Sequence, residues 1–330
     1  MPEERFPAVV ATGEGPARMT TLSEDDLPDG DVTVDVAYSS LNYKDGLAVT
    51  GRGRIVRRFP LVCGVDLAGT VRSSDSPRWH AGDEVLVTGW GLSETHPGGY
   101  TTRERVRSEW VLPVPPGLDP ARSMALGTAG LTAMLCVLAL EGAGLRPDPS
   151  AEVLVTGAAG GVGALSVALL SALGHRVVAS TGRTSLEPWL RGLGASRVAD
   201  RSELADAPAR ALGSERFAAA VDTVGGTTLA AVLSQVRYRG AVAACGLAGG
   251  SELSTTVFPF ILRNVSLLGV DSDRCPNELR SVAWGRLASD LPRHVLDSVT
   301  AVRPMGAVHE LAEEILSGSV RGRVVVDPRA

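Results

Sequence analysis

The stretch VLVTGAAGGVGALSVALL constrains the fold of this chain more than any other segment. An apolar, strand-like run ends at Thr156. Gly157, Gly160 and Gly163 then follow at a GxxGxxG spacing, with a helical pattern rich in Ala and Leu directly after them. Glycines between a buried strand and a helix allow a tight turn and let a pyrophosphate approach main-chain N–H groups at the helix N-terminus. The motif predicts a dinucleotide-binding unit, and the alternative is a glycine-rich turn without a ligand.

Strand and helix patterns alternate on both sides of this motif. Short apolar runs typical of buried strands are separated by stretches with helical composition. The predicted strands are 151–156, 175–180, 219–224, 240–246 and 266–272, and the predicted helices are 161–174, 185–194 and 226–236. Strands that alternate with helices in this way predict an α/β fold with a doubly wound parallel sheet.

The first 120 residues have a different pattern. DVTVDVAYSS alternates polar and apolar residues, as a half-buried strand does, and further strands are predicted at 66–72, 83–89 and 109–115. A length of 330 residues is too great for one ordinary core. We predict a β-rich first domain formed by 1–126 and 297–330, to which a C-terminal strand at 320–328 returns, and a second domain formed by 127–296.

Composition excludes several classes of function. A net charge of −5 and a pI near 5.6 argue against a nucleic-acid partner. The apolar run 124–140 is interrupted by glycines and threonines, which favours a buried helix over a membrane span, and the acidic N-terminus does not resemble a secretory signal. The four cysteines are far apart and form no CxxC motif, which favours reduced thiols and a cytoplasmic setting.

The end of the second strand of the dinucleotide unit indicates the cofactor. NAD-binding units usually place a carboxylate about 20 residues after the glycines, where it accepts from the ribose 2′-hydroxyl. Here no carboxylate occurs before Glu187, and Ser180, Arg183 and Thr184 offer two hydroxyls and a guanidinium. Because a guanidinium pairs with a 2′-phosphate, the segment predicts NADPH rather than NADH. The alternative is that Arg183 is an ordinary exposed loop arginine.

Several strings together resemble a known family. They are SSLNYKDGL, CGVDLAGTV, GDEVLVTGWG, GTAGLTAMLCVLALE, VTGAAGGVG, CGLAGG and PFILRNVSLLGVDS. They resemble the zinc-independent medium-chain dehydrogenases/reductases, and within these the acrylyl-CoA reductases, often labelled quinone oxidoreductases of the YhdH type. The resemblance implies a GroES-like catalytic domain, a Rossmann domain, and a cleft between them in which NADPH reduces the 2,3-double bond of acryloyl-CoA to give propanoyl-CoA.

The resemblance also implies a set of cofactor-binding residues. It places near NADPH the residues Tyr43, Gly160, Gly161, Val162, Gly163, Ala164, Ser180, Arg183, Thr184, Arg197, Leu247, Ile261, Ser272 and Arg323. The glycine loop and the STGR segment match firmly, whereas Arg197, Ile261 and Arg323 match by local strings alone.

No metal site is expected. Zinc-dependent members of the superfamily carry a Gly-His-Glu string, and the corresponding residues here are Gly64, Val65 and Asp66. The five histidines of the chain are isolated from one another in the sequence. A catalytic zinc ion usually requires three protein ligands in a fixed arrangement, and this sequence offers no such set.

Reduction without a metal needs hydrogen-bond donors directed at the enolate oxygen and a source of one proton. Asn42, Tyr43 and Lys44 are consecutive candidates, and Lys44 is the only lysine of the chain. If this segment is extended, Tyr43 faces one side, with Asn42 and Lys44 on the other. We expect Tyr43 to lie beside nicotinamide and substrate, Asn42 to orient the cofactor amide, and Lys44 to pair with Asp45. Direct catalysis by Lys44 and a purely packing role for Tyr43 remain alternatives.

Other features leave alternatives open. Arg52, Arg54, Arg57 and Arg58 form a cluster that suits the phosphates of coenzyme A, or is a solvated basic turn. Asp66, Asp222 and Asp271 lie at strand ends and are expected to be structural. The resemblance suggests a homodimer, with SLLGVDS as a possible edge-strand contact. Two rival functions are reduction of a quinone or a free α,β-unsaturated ketone, and NADPH binding without catalysis.

Overall fold

The computed structural model describes residues 4–205 and 211–330. The chain divides into two compact units. The first unit comprises Met1–Thr128, Asp273–Val282 and Leu296–Ala330, and the second comprises Ala129–Ser272 and Ala283–Val295. The sequence-based boundaries placed 273–282 in the second domain, and here the structure differs. The reason is Arg280, whose buried guanidinium donates to the backbone oxygen of Thr88 at 2.7 Å and so ties this segment to the first unit.

The strands and helices are numbered in chain order. In the first half they are β1 Arg5–Ala11, β2 Arg18–Ser23, β3 Val32–Ser40, α1 Tyr43–Thr50, β4 Leu61–Val62, β5 Asp66–Ser74, β6 Glu84–Thr88, β7 Arg103–Val106, β8 Leu112–Pro113, α2 Pro120–Gly142, β9 Glu152–Val155 and α3 Gly161–Ala172. They continue as β10 Arg176–Thr181, α4 Glu187–Gly192, β11 Ala195–Asp200, α5 Ser202–Ala205, β12 Phe217–Asp222, α6 Gly226–Gln235, β13 Val236–Ala244, α7 Phe258–Arg263 and β14 Ser266–Gly269. The last are α8 Asn277–Asp290, α9 Arg293–Val299, β15 Thr300–Pro304, α10 Val308–Leu316 and β16 Arg323–Asp327.

The first unit is built on two sheets. One has the order β15-β16-β3-β5-β6-β8, with β7 also paired to β3, and the other is β2-β1-β4. The alternating apolar residues of β3, β5 and β6 form a buried core that includes Val34, Leu67 and Val85. The C-terminal β16 pairs antiparallel with β3, which confirms that the C-terminal strand returns to this unit. The strand expected at 109–115 is shortened to β8, because residues 108–110 form a turn in which the N–H of Trp110 donates to Arg107 O.

The second unit is an all-parallel sheet in the order β11-β10-β9-β12-β13-β14. By chain order within the unit, this is the 3-2-1-4-5-6 arrangement of dinucleotide-binding folds. Leu154, Val178, Phe217 and Val242 are among the buried residues at its centre. The α/β fold class with a doubly wound parallel sheet is therefore confirmed. In such a sheet the ligand lies outside the carboxyl ends of the strands, where the predicted cofactor segments begin.

Helix α2 is long and apolar enough to cross a membrane, but 83% of its most apolar window is buried within the protein. This agrees with the expectation of a buried helix. The backbone leaves helical geometry at Gly127, where φ is 51° and ψ is −154°. A left-handed φ of this kind favours glycine, and the residue lies beside the polar cluster described next.

Candidate active site

The segment from Asn42 to Lys44 is the start of a helix rather than an extended loop, so the expected alternation of side chains across it is wrong. Asn42 is the N-cap of α1, and its N–H donates to Asp45 Oδ2 at 2.8 Å. An Asn at the N-cap with an acidic residue three positions later is a strong signal for helix initiation. Tyr43 and Lys44 therefore occupy the first turn of α1, where the Tyr43 side chain is 45% exposed.

Lys44 does not pair with Asp45, which corrects the expected ion pair. Its ammonium donates to Glu94, 50 residues along the chain. Asp45 instead points inward, is fully buried, and accepts from the N–H of Val65 at 2.9 Å. Residues 44 and 45 are neighbours on a helix, so their side chains point in different directions and cannot form an ion pair. Lys44 thus links the first turn of α1 to the loop that carries Glu94.

Asp66 is the centre of a buried polar cluster behind this helix start. Its Oδ2 accepts from Ser40 Oγ at 2.5 Å, from Asn42 Nδ2 at 2.9 Å and from the N–H of Thr128 at 2.9 Å, and its Oδ1 accepts from Thr128 Oγ1 at 2.5 Å. A Cβ at Gly127 would lie only 2.6 Å from Asp66 Oδ2, which explains the glycine at the break in α2. One carboxylate therefore joins the end of β3, the start of α1 and the break in α2.

Arg323 completes the cluster from the C-terminal strand. It is 2% exposed and donates to the backbone oxygens of Ala125 at 2.8 Å and Leu41 at 3.1 Å, and to Asn42 Oδ1 at 3.3 Å. Burial lowers the pKa of Arg323, an effect opposed by the nearby Asp66 carboxylate. The guanidinium therefore holds the side-chain amide of Asn42 at the start of α1, and Arg323 is not exposed at the surface.

Within the described residues, no group of three or more His, Cys, Asp or Glu side chains is arranged to hold a metal ion. At the place of the Gly-His-Glu string of zinc enzymes, Val65 contributes its backbone N–H to Asp45, and Asp66 is engaged by four hydrogen-bond donors.

The glycine loop of the second unit is built as the sequence predicts, with each glycine under a different constraint. Gly157 has φ of 59°, and a Cβ at Gly163 would lie 2.3 Å from the carbonyl oxygen of Gly157. The backbone of the loop therefore requires glycine at both positions, whether or not a ligand is bound. A Cβ at Gly160, the N-cap of α3, would meet only Gly157 O at 3.4 Å, which is an ordinary contact. The space over Gly160 is therefore left open, as a pyrophosphate requires.

The first amides of α3 are the available donors at this loop. The N–H groups of the first helical turn have no intrahelical acceptor, and these belong to Gly161, Val162 and Gly163. The N–H of Ala164 already donates to Gly160 O at 2.9 Å, so Ala164 offers no amide to a phosphate. Three N–H groups at the positive end of a helix suit a pyrophosphate, and the loop fits a dinucleotide.

Arg183 lies beside this loop, since its Nη2 donates to the carbonyl oxygen of Ala159 at 3.0 Å. Ser180 is buried at the end of β10, and its carbonyl oxygen accepts from the N–H of Ala158 at 3.0 Å. Thr184 is exposed at the start of a 3-10 turn. A guanidinium at this position, in a segment 181–186 that contains no Asp or Glu, fits the 2′-phosphate of NADPH.

Arg201 is a second guanidinium at this site that the sequence analysis missed. A Cβ at Gly182 would lie 2.8 Å from Arg201 Nε, so the arginine side chain covers this glycine. Arg201 follows β11, the strand next to β10, and its N–H donates to Thr181 O at 3.0 Å. The sequence feature that could have indicated Arg201 is its position directly after the carboxyl end of β11, the third strand of this unit in chain order. Arg197, by contrast, lies within β11 and pairs with Glu203 at 3.0 Å.

The remaining predicted cofactor residues are spread along the second unit. Leu247 is 65% exposed in the loop after β13, and Ser272 follows β14 and bonds Thr132 Oγ1 at 2.8 Å. Both come after the carboxyl ends of parallel strands, at the edge where the glycine loop also lies. Ile261 is on α7 and is 67% exposed. Asp222 lies at the end of β12, where its carboxylate accepts from Thr156 Oγ1 and Gly225 N–H at 2.7 Å each, a structural role.

Comparison with known proteins gives the same assignment for both units. An alcohol dehydrogenase GroES-like domain matches residues 28–116, and a zinc-binding dehydrogenase domain matches residues 161–289. The probable acrylyl-CoA reductase AcuI of Escherichia coli (strain K12) is 53% identical over 314 residues, which cover 95% of this chain and 96% of the relative. The chain belongs to the medium-chain dehydrogenase/reductase family. Its GroES-like and Rossmann fold class and the resemblance to the acrylyl-CoA reductase group are confirmed.

Two further relatives have solved structures. The yhdH oxidoreductase of Salmonella enterica in complex with NADP has a TM-score of 0.94 and 49% identity, covering 98% of this chain and 99% of that one. The putative quinone oxidoreductase YhfP of Bacillus subtilis (strain 168) is 45% identical over 93% of both chains. Its crystal structure with NAD bound has a TM-score of 0.95 and 43% identity, covering 98% of this chain and 99% of that one. One of these structures contains NADP and the other contains NAD. The residues around Gly182 should therefore determine whether this chain prefers NADPH or NADH.

If Arg183 and Arg201 bind the 2′-phosphate, replacement of either by glutamine should weaken NADPH binding about tenfold, because each change would remove a charged partner of that phosphate. The dissociation constant for NADH should change little, since NADH lacks this phosphate. Fluorescence titration with both nucleotides measures the two constants. Arg191→Gln, which removes an exposed arginine paired with Glu187 on α4, is the matched control. Equal losses for NADPH and NADH in the Arg183 and Arg201 variants would contradict the assignment.

Asp45 should make folding stability depend on pH. Burial raises its pKa to about 7, and the charge of Asp66 adds to the effect. In the unfolded chain the pKa of Asp is about 3.9. The stability contributed by the protonated carboxyl is thus complete below about pH 4 and is lost as the pH rises through about 7, by an amount on the order of 4 kcal/mol.

Thermal unfolding of wild type and Asp45→Asn tests this. The Asn side chain does not titrate, so the melting temperature of wild type relative to the variant should fall steadily from about pH 4 to about pH 8. Asp75→Asn, at an exposed aspartate, controls for general charge effects. If the melting-temperature difference between wild type and Asp45→Asn stays constant from about pH 4 to about pH 8, Asp45 does not titrate in this range.

Proposed function

We propose that this protein reduces the 2,3-double bond of a short enoyl-CoA, acryloyl-CoA to propanoyl-CoA, with NADPH as the hydride donor and without a metal ion. The observation that carries the proposal is the 53% identity to AcuI over 95% of this chain, together with a glycine loop and Arg183 that fit NADPH. The chain is an NADPH-dependent oxidoreductase acting on a carbon–carbon double bond.

Bound NADPH supplies the hydride. Addition to the β-carbon of an enoyl thioester places negative charge on the thioester oxygen, and a hydrogen-bond donor at that oxygen lowers the barrier. Tyr43 is our candidate donor. Its hydroxyl makes no hydrogen bond within the described residues, its side chain is 45% exposed, and the residue stands at the first position of α1. The same hydroxyl, or solvent, then provides the proton to the α-carbon.

Asn42 and Lys44 have supporting roles in this proposal. The amide of Asn42 is already committed, since its Nδ2 donates to Asp66 and its Oδ1 accepts from Arg323. Lys44 is held by Glu94. Both residues therefore fix the first turn of α1 rather than reacting with substrate, and direct catalysis by Lys44 is disfavoured.

We also propose a homodimer in the cytoplasm. β14 is an edge strand of the six-stranded sheet, and Leu267 on it is 36% exposed. Val257, Ile261 and Leu262 nearby in sequence are more than half exposed. An apolar edge strand of this kind suits pairing with a second copy of the chain. All four cysteines are free, which suits a reducing compartment.

Two other functions are supported by particular observations. YhfP, named a putative quinone oxidoreductase, is 45% identical, which favours a quinone or a free α,β-unsaturated ketone as the rival substrate. The glycine loop by itself is also compatible with a protein that binds NADPH without catalysis.

The oxidation of NADPH, followed by its absorbance, distinguishes these functions. We expect rapid turnover with acryloyl-CoA, slow turnover with NADH in place of NADPH, and no requirement for added metal after treatment with a chelator. Methyl vinyl ketone and benzoquinone are the matched acceptors without coenzyme A. Turnover with the quinone alone would favour the rival substrate. Tight NADPH binding with no turnover on any acceptor would favour the non-catalytic function.

A further inference from the structure

Glu94 is a carboxylate of the first unit that takes no part in the proposed reaction, yet it contacts two cations. The Lys44 ammonium donates to its Oε1, and Arg57 Nε lies 3.8 Å from its Oε2. The Glu94 side chain is 15% exposed. Salt therefore screens these contacts less than it screens an ion pair between fully exposed side chains.

The contacts of Glu94 reach both ends of one segment of the chain. Lys44 lies in the first turn of α1, directly after Tyr43, and Arg57 lies in the loop that follows α1. The backbone oxygen of Glu94 also accepts from the N–H of Arg57 at 2.8 Å. A single residue thus binds the start of α1 with its side chain and the loop after α1 with side chain and main chain.

The loop that carries Glu94 is closed by its own main-chain hydrogen bonds. The carbonyl oxygen of Gly91 accepts from the N–H groups of Glu94 at 3.0 Å and of Thr95 at 2.9 Å. The N–H of Ser93 donates to His96 O at 2.8 Å. The bond between Gly91 and Glu94 closes a four-residue turn, which sets the direction of the main chain at Glu94.

Two residues of this loop have a backbone conformation that favours glycine. Trp90 and Ser93 have φ of 58° and 66°, and such a conformation persists in other residues where the surrounding structure imposes it. Asp273 of the same unit contributes to this. Its carbonyl oxygen accepts from Trp90 N–H at 3.0 Å, and its Oδ1 accepts from Gly91 N–H at 3.2 Å. The loop is therefore held in one shape by bonds within it and by bonds to a distant part of the chain.

The position of Lys44 is unfavourable for a cation without Glu94. The first turn of a helix carries unpaired N–H groups and the positive end of the helix dipole, which repel a positive charge. Lys44 occupies this turn, and the Glu94 carboxylate offsets the repulsion. Local rules of helix formation are broken chiefly at functional or strained sites, which directs attention to the neighbouring Tyr43.

We propose that Glu94 is a positioning residue for Tyr43: through Lys44 it holds the first turn of α1, and with it the hydroxyl that donates to the enolate oxygen. This inference rests on the proposed function, in which Tyr43 is that donor. Asn42, before Tyr43, is held by Asp66. Lys44, after it, is held by Glu94, so the donor stands between two fixed residues. Because a displacement of about 1 Å can slow a reaction about 100-fold, loss of Glu94 should act on kcat.

A double-mutant cycle tests whether Glu94 acts through Lys44. The value of kcat for acryloyl-CoA at saturating NADPH is measured for Glu94→Gln, Lys44→Gln and the double variant. Each single variant should lower kcat about tenfold with KM nearly unchanged. The double variant should be no slower than either, because both changes remove the same interaction. Additive losses, or wild-type kcat in the single variants, would contradict the proposal.

A second comparison tests whether Glu94 acts through the Tyr43 hydroxyl. When the hydroxyl is absent its position no longer matters, so Glu94→Gln should leave the kcat of Tyr43→Phe unchanged. A role of Glu94 in general stability would not produce this dependence. A further tenfold loss in the Tyr43→Phe background would show that Glu94 acts elsewhere in the protein.

Glu313→Gln is the matched control. It removes the carboxylate of the exposed ion pair between Arg52 and Glu313, at the other end of α1, and should retain the wild-type kcat. Melting temperatures of all variants establish that they fold. If Glu313→Gln slows the reaction as much as Glu94→Gln does, the catalytic unit responds to the loss of any ion pair near α1, and Glu94 has no particular role.

The outcomes separate this inference from the proposed function. If Tyr43→Phe loses activity while Glu94→Gln retains it, the inference is wrong and the proposed function stands. If Tyr43→Phe retains wild-type kcat, or if wild type does not reduce acryloyl-CoA, the proposed function itself is overturned in that respect, and this inference with it.

Discussion

The buried carboxylate of Asp66 is the interaction on which the catalytic unit depends. Four donors from β3, α1 and the break in α2 meet on its two oxygens. A buried carboxylate is costly unless it is satisfied by hydrogen bonds and opposite charge. Arg323 supplies that charge and binds the neighbouring backbone. The cluster fixes the place at which α1 begins, and so the place of Tyr43.

The sequence predicted the parts of the structure that depend on local patterns. The glycine loop, the alternation of strands and helices and the basic residue after β10 are local, because a strand, a turn and a helix start are each encoded within a few residues. A strand at 320–328 that returns to the first unit was also predicted, and β16 pairs antiparallel with β3 of that unit.

What the sequence could not give are contacts between distant residues. Lys44 and Glu94 are 50 residues apart, and the register partners Val325 and Ser40 are farther apart still. Nothing local indicates that such side chains meet. The start of α1, by contrast, is encoded locally. Asn42 and Asp45 have the spacing of a helix N-cap and its N3 residue, which predicts a helix rather than an extended loop. The solitary lysine has a structural explanation: a compact ammonium on the first turn of a helix binds a largely buried carboxylate.

In the function that we propose, a protein hydroxyl held in place by the Asp66 cluster is the hydrogen-bond donor at the enolate oxygen. Steady-state kinetics of Tyr43→Phe with acryloyl-CoA test this most directly. The claim predicts that kcat falls about 100-fold, while KM and the dissociation constant of NADPH stay near their wild-type values. A wild-type kcat in this variant would contradict it and would leave Tyr43 with a packing role.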